Sequence, residues 1–384
     1  MSDWQEASLA DLADYINGRA IKPEECSIQE GIPVIRIKQI NDPQSIEDRF
    51  CGDDLEEKNI ARSGDLLFSW SATLKTILWQ GPTGAINQHI FKVLPKEGID
   101  KTFLHYLIDN SLPALTEESH GSTMKHIKKS ALSAFHLQIP PLPEQKKIAE
   151  ILSGIDKSIS INCQKITSLE TLYASILADS LKKLPGDCLE IQLADACSEV
   201  FLGLTSKVDY VENEGVPLVR ASNIKNGLID FNATRSISQD QHLSLTKYRK
   251  AGKGDVLVTK SGSLGECAIV HTEKEFSIYE SIVCLKPRSD LLSTKYLFHA
   301  LQSRAIKDQF LSEKVGSAVA HLNLNDFRRI TLLLPSLVAQ KVISKTLDAL
   351  RSNKDRLKAD TDKKIYLKSA ISSDLLSGRK RVSI

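Results

Sequence analysis

The pattern of apolar and polar positions divides the chain into two kinds of segment. Short β-branched runs separated by Gly, Asp and Asn turns occur first as IPVIRIKQI, DLLFSW and HIFKVL and later as VPLVRASNI, DVLVTK and SIVCLKP. Runs of this length between turn residues predict the strands of a mixed sheet. TFLHYLIDNSLPAL and TKYLFHALQSRAIKDQFL have apolar residues at three- and four-residue spacing, so each predicts one helix on that sheet. The pattern therefore predicts two α+β domains.

A long amphipathic helix is predicted after the first set of strands. The prolines of PPLPEQKKIAEIL place Glu144 and Gln145 in the first turn of a helix. From Ile148 to Ile176, apolar residues then step alternately by four and three, with a polar interruption at Asn162. This is the a/d seam of a coiled coil. About forty residues at about 1.5 Å each give a helix about 60 Å long.

A second helix with the same seam is predicted near the end of the chain. Its apolar positions run from Ile343 to Leu375, but polar side chains interrupt the middle of the seam, at Lys354, Thr361, Lys364 and Lys368. A single amphipathic helix of this length cannot bury its stripe alone, and the only other matching stripe is the first helix. We therefore expect the two helices to pair antiparallel within the chain; the alternative is two unrelated surface helices.

An internal repeat relates the two halves of the sequence. Nine identities share one offset of 195 residues: Gly121, Ser122, His126, Pro140, Leu142, Gln145, Lys146, Ile148 and Leu152 recur as Gly316, Ser317, His321, Pro335, Leu337, Gln340, Lys341, Ile343 and Leu347. Earlier segments match at smaller offsets, as GIPVIRIKQI at 31–40 does with GVPLVRASNI at 215–224. Insertions therefore lie in the front of each copy, as expected for variable surface loops on a fixed frame.

The repeat predicts the domain organisation and a long-range geometry. We place α+β domains at 1–142 and 187–335 and helices at 143–186 and 336–384. With antiparallel helices, the copies are related by a pseudo-twofold axis and the two domains lie at opposite ends of the helix pair. Such a molecule suits the reading of two separated sites on an elongated ligand, and the helical repeat of B-DNA, about 34 Å, is on that scale.

Composition and charge narrow the classes of protein. The chain has 384 residues, 41% of them hydrophobic, with 50 basic and 48 acidic side chains, so it is neither disordered nor a strongly basic nucleic-acid binder. A mean hydropathy of −0.18, the absence of a leader-like start and the absence of an eighteen-residue apolar stretch predict a cytoplasmic protein outside the membrane. Seven widely spaced cysteines without a Cys-x-x-Cys pair predict reduced thiols, with no disulfide frame or zinc site.

Two pairs of segments resemble a known family. IPPLPEQKKIAEILSGID and LLLPSLVAQKVISKTLDAL are similar to the central and terminal conserved segments of the specificity subunit of type I restriction–modification systems, although Ser336 and Ala339 depart from the usual Pro and Glu. The stretches before them resemble the ends of that family's target recognition domains. The resemblance implies a non-catalytic subunit that binds two methyltransferase subunits and selects a bipartite, asymmetric DNA site for adenine N6 methylation. Restriction subunits complete the complex, and S-adenosylmethionine, ATP and Mg²⁺ then belong to the partners.

Three polar segments in each copy are candidate DNA contacts, since Arg, Lys, Asn, Gln, Ser and Thr read base edges and bind phosphates. In the first copy they are Lys38, Gln39 and Asn41; then Ser69, Trp70, Ser71, Thr73 and Lys75; then Ser122, Thr123, Lys125 and Lys128. In the second copy they are Arg220, Asn223 and Lys225; then Thr259, Lys260, Ser261 and Ser263; then Ser317, His321 and Asn323. Ordinary polar turns are the alternative for the first segment. The third segment recurs in both copies, which favours backbone positioning over base reading.

Other functions remain as alternatives at this stage. A non-enzymatic coiled-coil scaffold joining two protein-binding domains would show the same repeat. A stand-alone nucleic-acid enzyme is the weaker class, because no Ser-His-Asp order or metal-spaced His pair occurs. The run Gly262 to Gly265 lacks the Lys-Ser/Thr of a phosphate-binding loop and the spacing of a dinucleotide fingerprint, so we reject a nucleotide site there.

Overall fold

The structure of the protein is a computed structural model that describes residues 4–117, 127–182, 188–205, 207–212, 214–312 and 322–383. The chain forms two compact units. Unit 1 comprises Met1–Cys163 and Ala359–Ile384, and unit 2 comprises Gln164–Lys358. Each unit thus contains one α+β domain together with a part of both long helices.

Unit 1 contains eleven strands among its described residues. They are β1 (Gln5–Ser8), β2 (Ala13–Asn17), β3 (Cys26–Ser27), β4 (Ile32–Ile35), β5 (Arg49–Phe50), β6 (Ile60–Ala61), β7 (Leu66–Ser69), β8 (Lys75–Leu78), β9 (Gly84–Ile86), β10 (Ile90–Pro95) and β11 (His136–Ile139). The short helices are α1 (Leu9–Leu12) and α2 (Ile37–Asn41), followed by α3 (Lys101–Glu117) and α4 (Lys129–Ala134). Short 3-10 turns lie at Pro23–Glu25 and Glu57–Asn59.

The strands of unit 1 form a four-stranded central sheet, a five-stranded mixed sheet and a two-stranded pair, β1-β11. The central sheet is antiparallel with the order β2-β10-β7-β8, and the mixed sheet has the order β3-β5-β4-β9-β6 with β4 parallel to β9. Side chains alternate across a strand. Leu66 and Phe68 of β7 therefore join the cluster that contains α3, and Leu67 joins the cluster of the mixed sheet. The run LLF is apolar because both faces of its strand are covered.

Unit 2 repeats this topology. Its strands are β12 (Leu189–Gln192), β13 (Cys197–Leu202), β14 (Tyr210–Val211), β15 (Val216–Val219), β16 (Ile224–Lys225), β17 (Leu228–Ile229), β18 (Arg235–Ile237), β19 (Val256–Thr259), β20 (Cys267–Ile269), β21 (Ser277–Ile278), β22 (Ile282–Pro287) and β23 (Thr331–Leu334). The order β13-β22-β19-β20 matches the central sheet of unit 1, and β14-β18-β15-β21 matches four of the five strands of its mixed sheet, while β16 and β17 form a separate two-stranded sheet. The predicted α+β repeat is confirmed.

The shorter helices of unit 2 follow the same plan with one difference from the sequence prediction. They are α6 (Leu193–Ala196), α7 (Gln239–Thr246), α8 (Thr294–Leu301), α9 (Arg304–Ser312) and α10 (Leu324–Arg329), and a 3-10 turn lies at Ala221–Asn223. The expectation of a single helix over TKYLFHALQSRAIKDQFL is wrong, because α8 ends at Leu301 and a separate helix, α9, begins at Arg304. The side chain of Ser303 accepts a hydrogen bond from the Ile306 amide at 3.3 Å, so it caps the start of α9.

The two long helices lie close to their predicted positions. The first, α5, spans Leu142–Lys182 (41 residues), and the second, α11, spans Leu337–Leu376 (40 residues). The unusual start of α11 has a local explanation. Ser336 stands where the family pattern has proline, and its hydroxyl accepts a hydrogen bond from the Ala339 amide at 3.4 Å. Serine therefore caps the helix that proline starts in the first copy.

Within unit 1 the polar residues of the two seams meet each other. The Asn162 amide donates to the Asp360 carboxylate at 2.8 Å and to the Thr361 hydroxyl at 3.2 Å, and Lys368 pairs with Asp156 at 2.6 Å. Residue numbers rise along one helix as they fall along the other, so these parts of α5 and α11 pair antiparallel. In unit 2, Lys354 of α11 pairs with Glu170 of α5 at 3.5 Å.

One glutamine in each copy joins a long helix to its domain. Gln145 is buried; its carbonyl accepts from the Asp100 amide at 2.8 Å, and its Nε2 donates to the carbonyls of Gly98 and Pro140 at 3.1 and 2.9 Å. Gln340 makes the equivalent bonds in unit 2 at 2.8–2.9 Å. The glutamine shared by the two copies therefore has a structural role, because its side chain holds the start of the long helix against the loop before α3 or α8.

Candidate nucleic-acid interface

In unit 1 the candidate segments are gathered along one edge of the sheets. The Asn87 amide donates to the Ile35 carbonyl at 3.0 Å, the Trp70 amide to the His89 carbonyl at 3.3 Å, and the Ile127 amide to the Trp70 carbonyl at 3.0 Å. The parallel strands β4 and β9 end at the same edge, and the antiparallel β7 ends where β10 starts. These bonds therefore bring the segment after β4, the loop after β7 and the start of α4 together.

Unit 2 repeats the three bonds at equivalent positions. The Tyr279 amide donates to the Val219 carbonyl at 2.9 Å, the Lys260 amide to the Ser281 carbonyl at 2.9 Å, and the Leu322 amide to the Lys260 carbonyl at 3.3 Å. We call this edge, in either unit, the loop edge. Its backbone frame is common to both units, whereas its side chains differ.

The first predicted segment has two exposed residues in each unit. Lys38 and Asn41 are exposed in unit 1; Lys38 forms an ion pair with Glu47, and the Asn41 amide contacts the Ile37 carbonyl at 3.4 Å. In unit 2, Arg220 and Lys225 are exposed. The Arg220 guanidinium lies 5.2 Å from the centroid of the Tyr279 ring.

Two residues of the first segment face inward. Gln39 is 2% exposed and accepts a hydrogen bond from the Arg36 amide at 3.0 Å. Asn223 is 4% exposed and accepts from the Arg220 amide at 2.9 Å, while its Nδ2 donates to the Ala233 carbonyl at 3.0 Å. The expectation that both residues contact DNA is corrected here: they occupy equivalent positions and hold the turn after β4 and β15, because a buried side-chain amide must satisfy its donors and acceptors.

The second segment of unit 1 has a buried base and an exposed tip. Ser69 and Ser71 are buried, and the Trp70 ring is half-buried and stacked on Phe91 with centroids 5.6 Å apart. Thr73 is exposed and Lys75, the first residue of β8, is half-buried. Only the tip of this loop therefore offers polar groups freely to a ligand, and Trp70 serves mainly to support it.

The equivalent loop of unit 2 is braced by its own hydroxyl. Thr259 is fully buried; its hydroxyl donates to the Ser263 carbonyl and accepts from the Glu266 amide at 3.0 Å. Thr259 is thus a third structural residue among those expected to contact DNA, after Gln39 and Asn223. Ser261 is half-buried and Ser263 exposed, while burial lowers the pKa of the Lys260 ammonium and the nearby Glu280 carboxylate raises it.

Most of the third segment lies outside the described residues. The predicted residues outside them are Ser122, Thr123, Lys125, Ser317 and His321. Its last residues are described. Lys128 is exposed at the start of α4. Asn323 caps α10, accepting from the amides of Asn325 and Asp326 at 2.9 and 3.1 Å. A capping role accounts for Asn323 by itself.

The sequence reasoning missed a fourth segment of the loop edge, the turn between β9 and β10. The turn Asn87–Ile90 is closed by a bond from the Ile90 amide to the Asn87 carbonyl at 3.0 Å, and its counterpart Tyr279–Ile282 by the equivalent bond at 2.9 Å. A signal was present in the aligned strands before and after it, because both copies place three residues with polar groups between them, Asn87 to His89 and Tyr279 to Ser281.

Several other kinds of site receive no support. No group of three or more His, Cys, Asp or Glu side chains within the described ranges is arranged to hold a metal ion. All seven cysteines are free thiols, and three of them, Cys197, Cys267 and Cys284, are buried, which raises the pKa of each thiol. No helix in the described part of the chain is long and apolar enough to cross a bilayer.

Comparisons with known proteins agree with this architecture. The family model of the type I restriction modification DNA specificity domain matches residues 1–171 and 201–366. The EcoBI specificity subunit of Escherichia coli is 23% identical, over 97% of this chain and 85% of that protein, and the MjaVIII specificity subunit of Methanocaldococcus jannaschii is 22% identical, over 99% and 93%. The crystal structure of the S subunit from M. genitalium matches with a TM-score of 0.63 at 16% identity, over 98% of this chain and 96% of that one. The two matched segments cover most of the chain, one in each half of the repeat, and the chain therefore belongs to the specificity-subunit family of type I restriction–modification systems.

Proposed function

We propose that each α+β domain reads one half of a bipartite, asymmetric DNA site through its loop edge. The observation that carries this proposal is the pair of loop edges: the same three backbone bonds build both, yet different side chains project from them. A common frame with unlike side chains is what two different half-sites require. The exposed candidates are Lys38, Asn41, Thr73, Lys128, Arg220, Lys225 and Ser263.

The helices supply the second part of the proposal. Paired α5 and α11 set the spacing between the half-sites and dock two methyltransferase subunits, one for each copy of the repeat. Restriction subunits join the same complex when cleavage is required. S-adenosylmethionine, ATP and Mg²⁺ are bound by those partners. The antiparallel contacts within each unit support a stiff helix pair, because the buried Asn162–Thr361 bond favours one register.

Charge supports a shared role in DNA binding. Residues 1–142 have a net charge of −6 and residues 187–335 of 0, whereas 143–186 have +1 and 336–384 have +7. Neutralisation of phosphates supplies a large part of the affinity of most DNA-binding proteins. A neutral or acidic reading domain should therefore bind tightly only when partner subunits clamp the duplex.

Domain exchange tests the function directly. We expect replacement of residues 1–142 by the equivalent domain of another specificity subunit to change one half of the methylated motif and to leave the other half and the spacer unchanged. The readout is the sequencing of modified adenines in cells that produce the chain with its methyltransferase subunits. A motif that changes in both halves, or modification that persists unchanged when the chain is deleted, would contradict the proposal and favour a scaffold.

The spacer role has its own test. Removal of one helical turn from α5 and of the facing turn from α11 should change the gap between the half-sites while both half-sites stay the same. A scaffold without a spacing role predicts no change in the gap.

A further inference from the structure

The turn between β9 and β10, with its counterpart in unit 2, has a backbone held from several directions. In unit 1 the Gly18 amide donates to the Ile90 carbonyl at 2.9 Å and the Arg19 amide to the Ile86 carbonyl at 2.8 Å. The Asn87 amide is bonded to the Ile35 carbonyl on the other side. A Cβ on Gly18 would lie 2.2 Å from the Asn87 carbonyl oxygen, so only glycine permits this approach.

Unit 2 builds its turn in the same way. The Gly203 amide donates to the Ile282 carbonyl at 3.0 Å, and a Cβ on Gly203 would lie 2.2 Å from the Tyr279 carbonyl oxygen. The backbone of both turns is therefore fixed to the sheets beneath them. Their first tip residues, Gln88 and Glu280, are exposed. A rigid turn with an exposed side chain costs little entropy when that side chain binds a ligand.

The neighbours of the two tips differ at one further position. In unit 1 the Gln88 amide nitrogen lies 3.4 Å from the His89 Nε2, and the His89 ring packs against Trp70 with centroids 5.5 Å apart. In unit 2 the residue equivalent to Trp70 is Lys260, whose backbone amide donates to the Ser281 carbonyl of the turn at 2.9 Å. The exposed tip side chain is thus an amide in unit 1 and a carboxylate in unit 2.

A carboxylate on an edge that meets DNA repels phosphates unless it accepts a hydrogen bond from a base. The cytosine N4 amino group is the donor that Glu contacts in the major groove. A Gln amide carries one donor group and one acceptor, which matches the N7 and N6 of adenine. We propose that Gln88 reads an adenine in one half-site and that Glu280 reads a cytosine in the other, which makes this turn a specificity-determining position shared by both domains.

This inference rests on the proposed function and is tested in the same complex. The variants are Gln88→Glu and Glu280→Gln, each made in the full chain and produced with its methyltransferase subunits, and the readout is the motif of modified adenines. Gln88→Glu should change the preference at one base pair of one half-site from A·T toward C·G, by about tenfold or more, and leave the other half-site unchanged. Glu280→Gln should produce the reverse change in the other half-site. Gln88→Ala should relax the preference at the same base pair without replacing it.

Matched controls come from the opposite edge of each central sheet. Gln80 follows β8, whose last residue pairs with the first residue of β7, and Glu273 forms an ion pair with Lys253. Gln80→Glu and Glu273→Gln change the same chemical groups away from the loop edge, so the motif should not change.

The outcomes separate the two levels of the proposal. If the wild-type chain directs no modification to any bipartite motif, the proposed function fails. If the wild-type chain does so but the Gln88 and Glu280 variants give the wild-type motif, the assignment of these two residues is overturned. It is equally overturned if the variants fold, by far-UV circular dichroism, yet lose modification at every sequence, because the turn then positions the domain and does not read a base.

Discussion

At the scale of single residues, several identities between the two copies have a structural explanation. Gln145 and Gln340 are identical and make the same three hydrogen bonds. Gly18 and Gly203 are identical because a carbonyl oxygen approaches each of them closely. Positions that differ, such as Trp70 and Lys260, stand at the loop edge. The residues that these positions share build the frame, whereas Gln39 and Asn223 show that residues that differ between the copies can also hold a turn.

The family's glutamate, which the second copy lacks at position 339, has a structural role in the first copy as Glu144. Glu144 accepts hydrogen bonds from the Arg381 guanidinium at 2.6 Å and from the Trp4 indole at 3.0 Å. The carboxylate thus joins both ends of the chain to the start of α5, and the guanidinium lowers the pKa of this carboxyl group. Position 339, equivalent to Glu144, is alanine, and the loss of the family's Glu there coincides with the loss of an Arg equivalent to Arg381, since Gly186 stands at that position.

Glycine 18 gives a prediction at this scale. Gly18→Ala should destabilise unit 1 by about 3 kcal/mol, because the added methyl group must displace a backbone carbonyl. All three tryptophans, Trp4, Trp70 and Trp79, lie in unit 1, so denaturation followed by tryptophan fluorescence reports on that unit. Gly154→Ala is the matched control: its Cβ would meet nothing within 4 Å in the middle of α5, and alanine should stabilise the helix by about 1 kcal/mol. Equal effects of the two substitutions would refute the close approach at Gly18.

At the scale of elements, the weak seam of α11 is explained by its partners. Thr361 is buried and bonded to Asn162, Lys368 pairs with Asp156, and the Lys368 ammonium also lies 5.1 Å from the centroid of the Tyr106 ring. The Tyr106 hydroxyl in turn donates to Asp156 at 2.7 Å. Polar residues on the seam thus form cross-helix and helix-to-domain bonds, which an apolar seam could not supply.

The Asn162–Thr361 pair gives a prediction at the scale of elements. Asn162→Leu should destabilise unit 1, because the buried Thr361 hydroxyl loses a partner. Thr361→Val should destabilise it because the Asn162 amide then loses one of its two acceptors. The double substitution should recover most of the loss, with a coupling energy of about 1–2 kcal/mol by a double-mutant cycle in tryptophan fluorescence.

The exposed pair of Glu170 and Lys354 is the control for that cycle. This pair lies in unit 2, which has no tryptophan, so its unfolding is followed by far-UV circular dichroism. Its side chains are 57% and 35% exposed, so removal of both should cost less than about 1 kcal/mol. Additive effects of Asn162→Leu and Thr361→Val would show that the buried bond does not couple the helices.

At the scale of the whole molecule, each domain is attached to both long helices through its own polar junction. In unit 2 that junction is His299, whose Nδ1 lies 2.7 Å from the Tyr173 hydroxyl of α5 and whose Nε2 lies 2.9 Å from the Asp348 carboxylate of α11. The neutral imidazole satisfies both partners if Nε2 donates to Asp348 and Nδ1 accepts from Tyr173. Burial lowers the pKa of His299 despite the opposing Asp348 carboxylate, and Arg351 and Lys295 lower it further.

This junction predicts a pH dependence with a definite sign. Because the folded-state pKa of His299 lies below its ordinary value of about 6.5, the unfolded chain binds the proton more readily. The stabilisation is therefore complete above that value and is lost as the pH falls through the folded-state pKa. Hydrogen exchange of residues 294–301 should show a free energy of opening that decreases between about pH 7.5 and 5.5. His299→Asn should flatten this dependence; an unchanged slope would show that another group is responsible.

The sequence by itself determined the repeat, the α+β character of each copy, the long helices and the family, because these follow from local hydrophobic periodicity and from residues that recur at one offset. It also identified the loops after β4 and β7. It could not separate the buried Gln39, Asn223 and Thr259 from their exposed neighbours. The type of a polar residue does not determine whether its side chain stabilises a turn or faces solvent. The strands on either side align Gln88 with Glu280 in the sequence, but only the fold shows that both lie at exposed tips of the loop edge.

Only the tertiary structure decided which polar residues meet. The turn between β9 and β10 lies next to the loop after β7 because strands distant in sequence pair in the sheet, and the polar seam residues of α11 find their partners on α5 almost two hundred residues earlier. Such contacts depend on the pairing of elements that are distant in the sequence, which no local pattern encodes. Periodicity fixes which face of an element is buried, whereas pairing between distant elements fixes which side chains share a site.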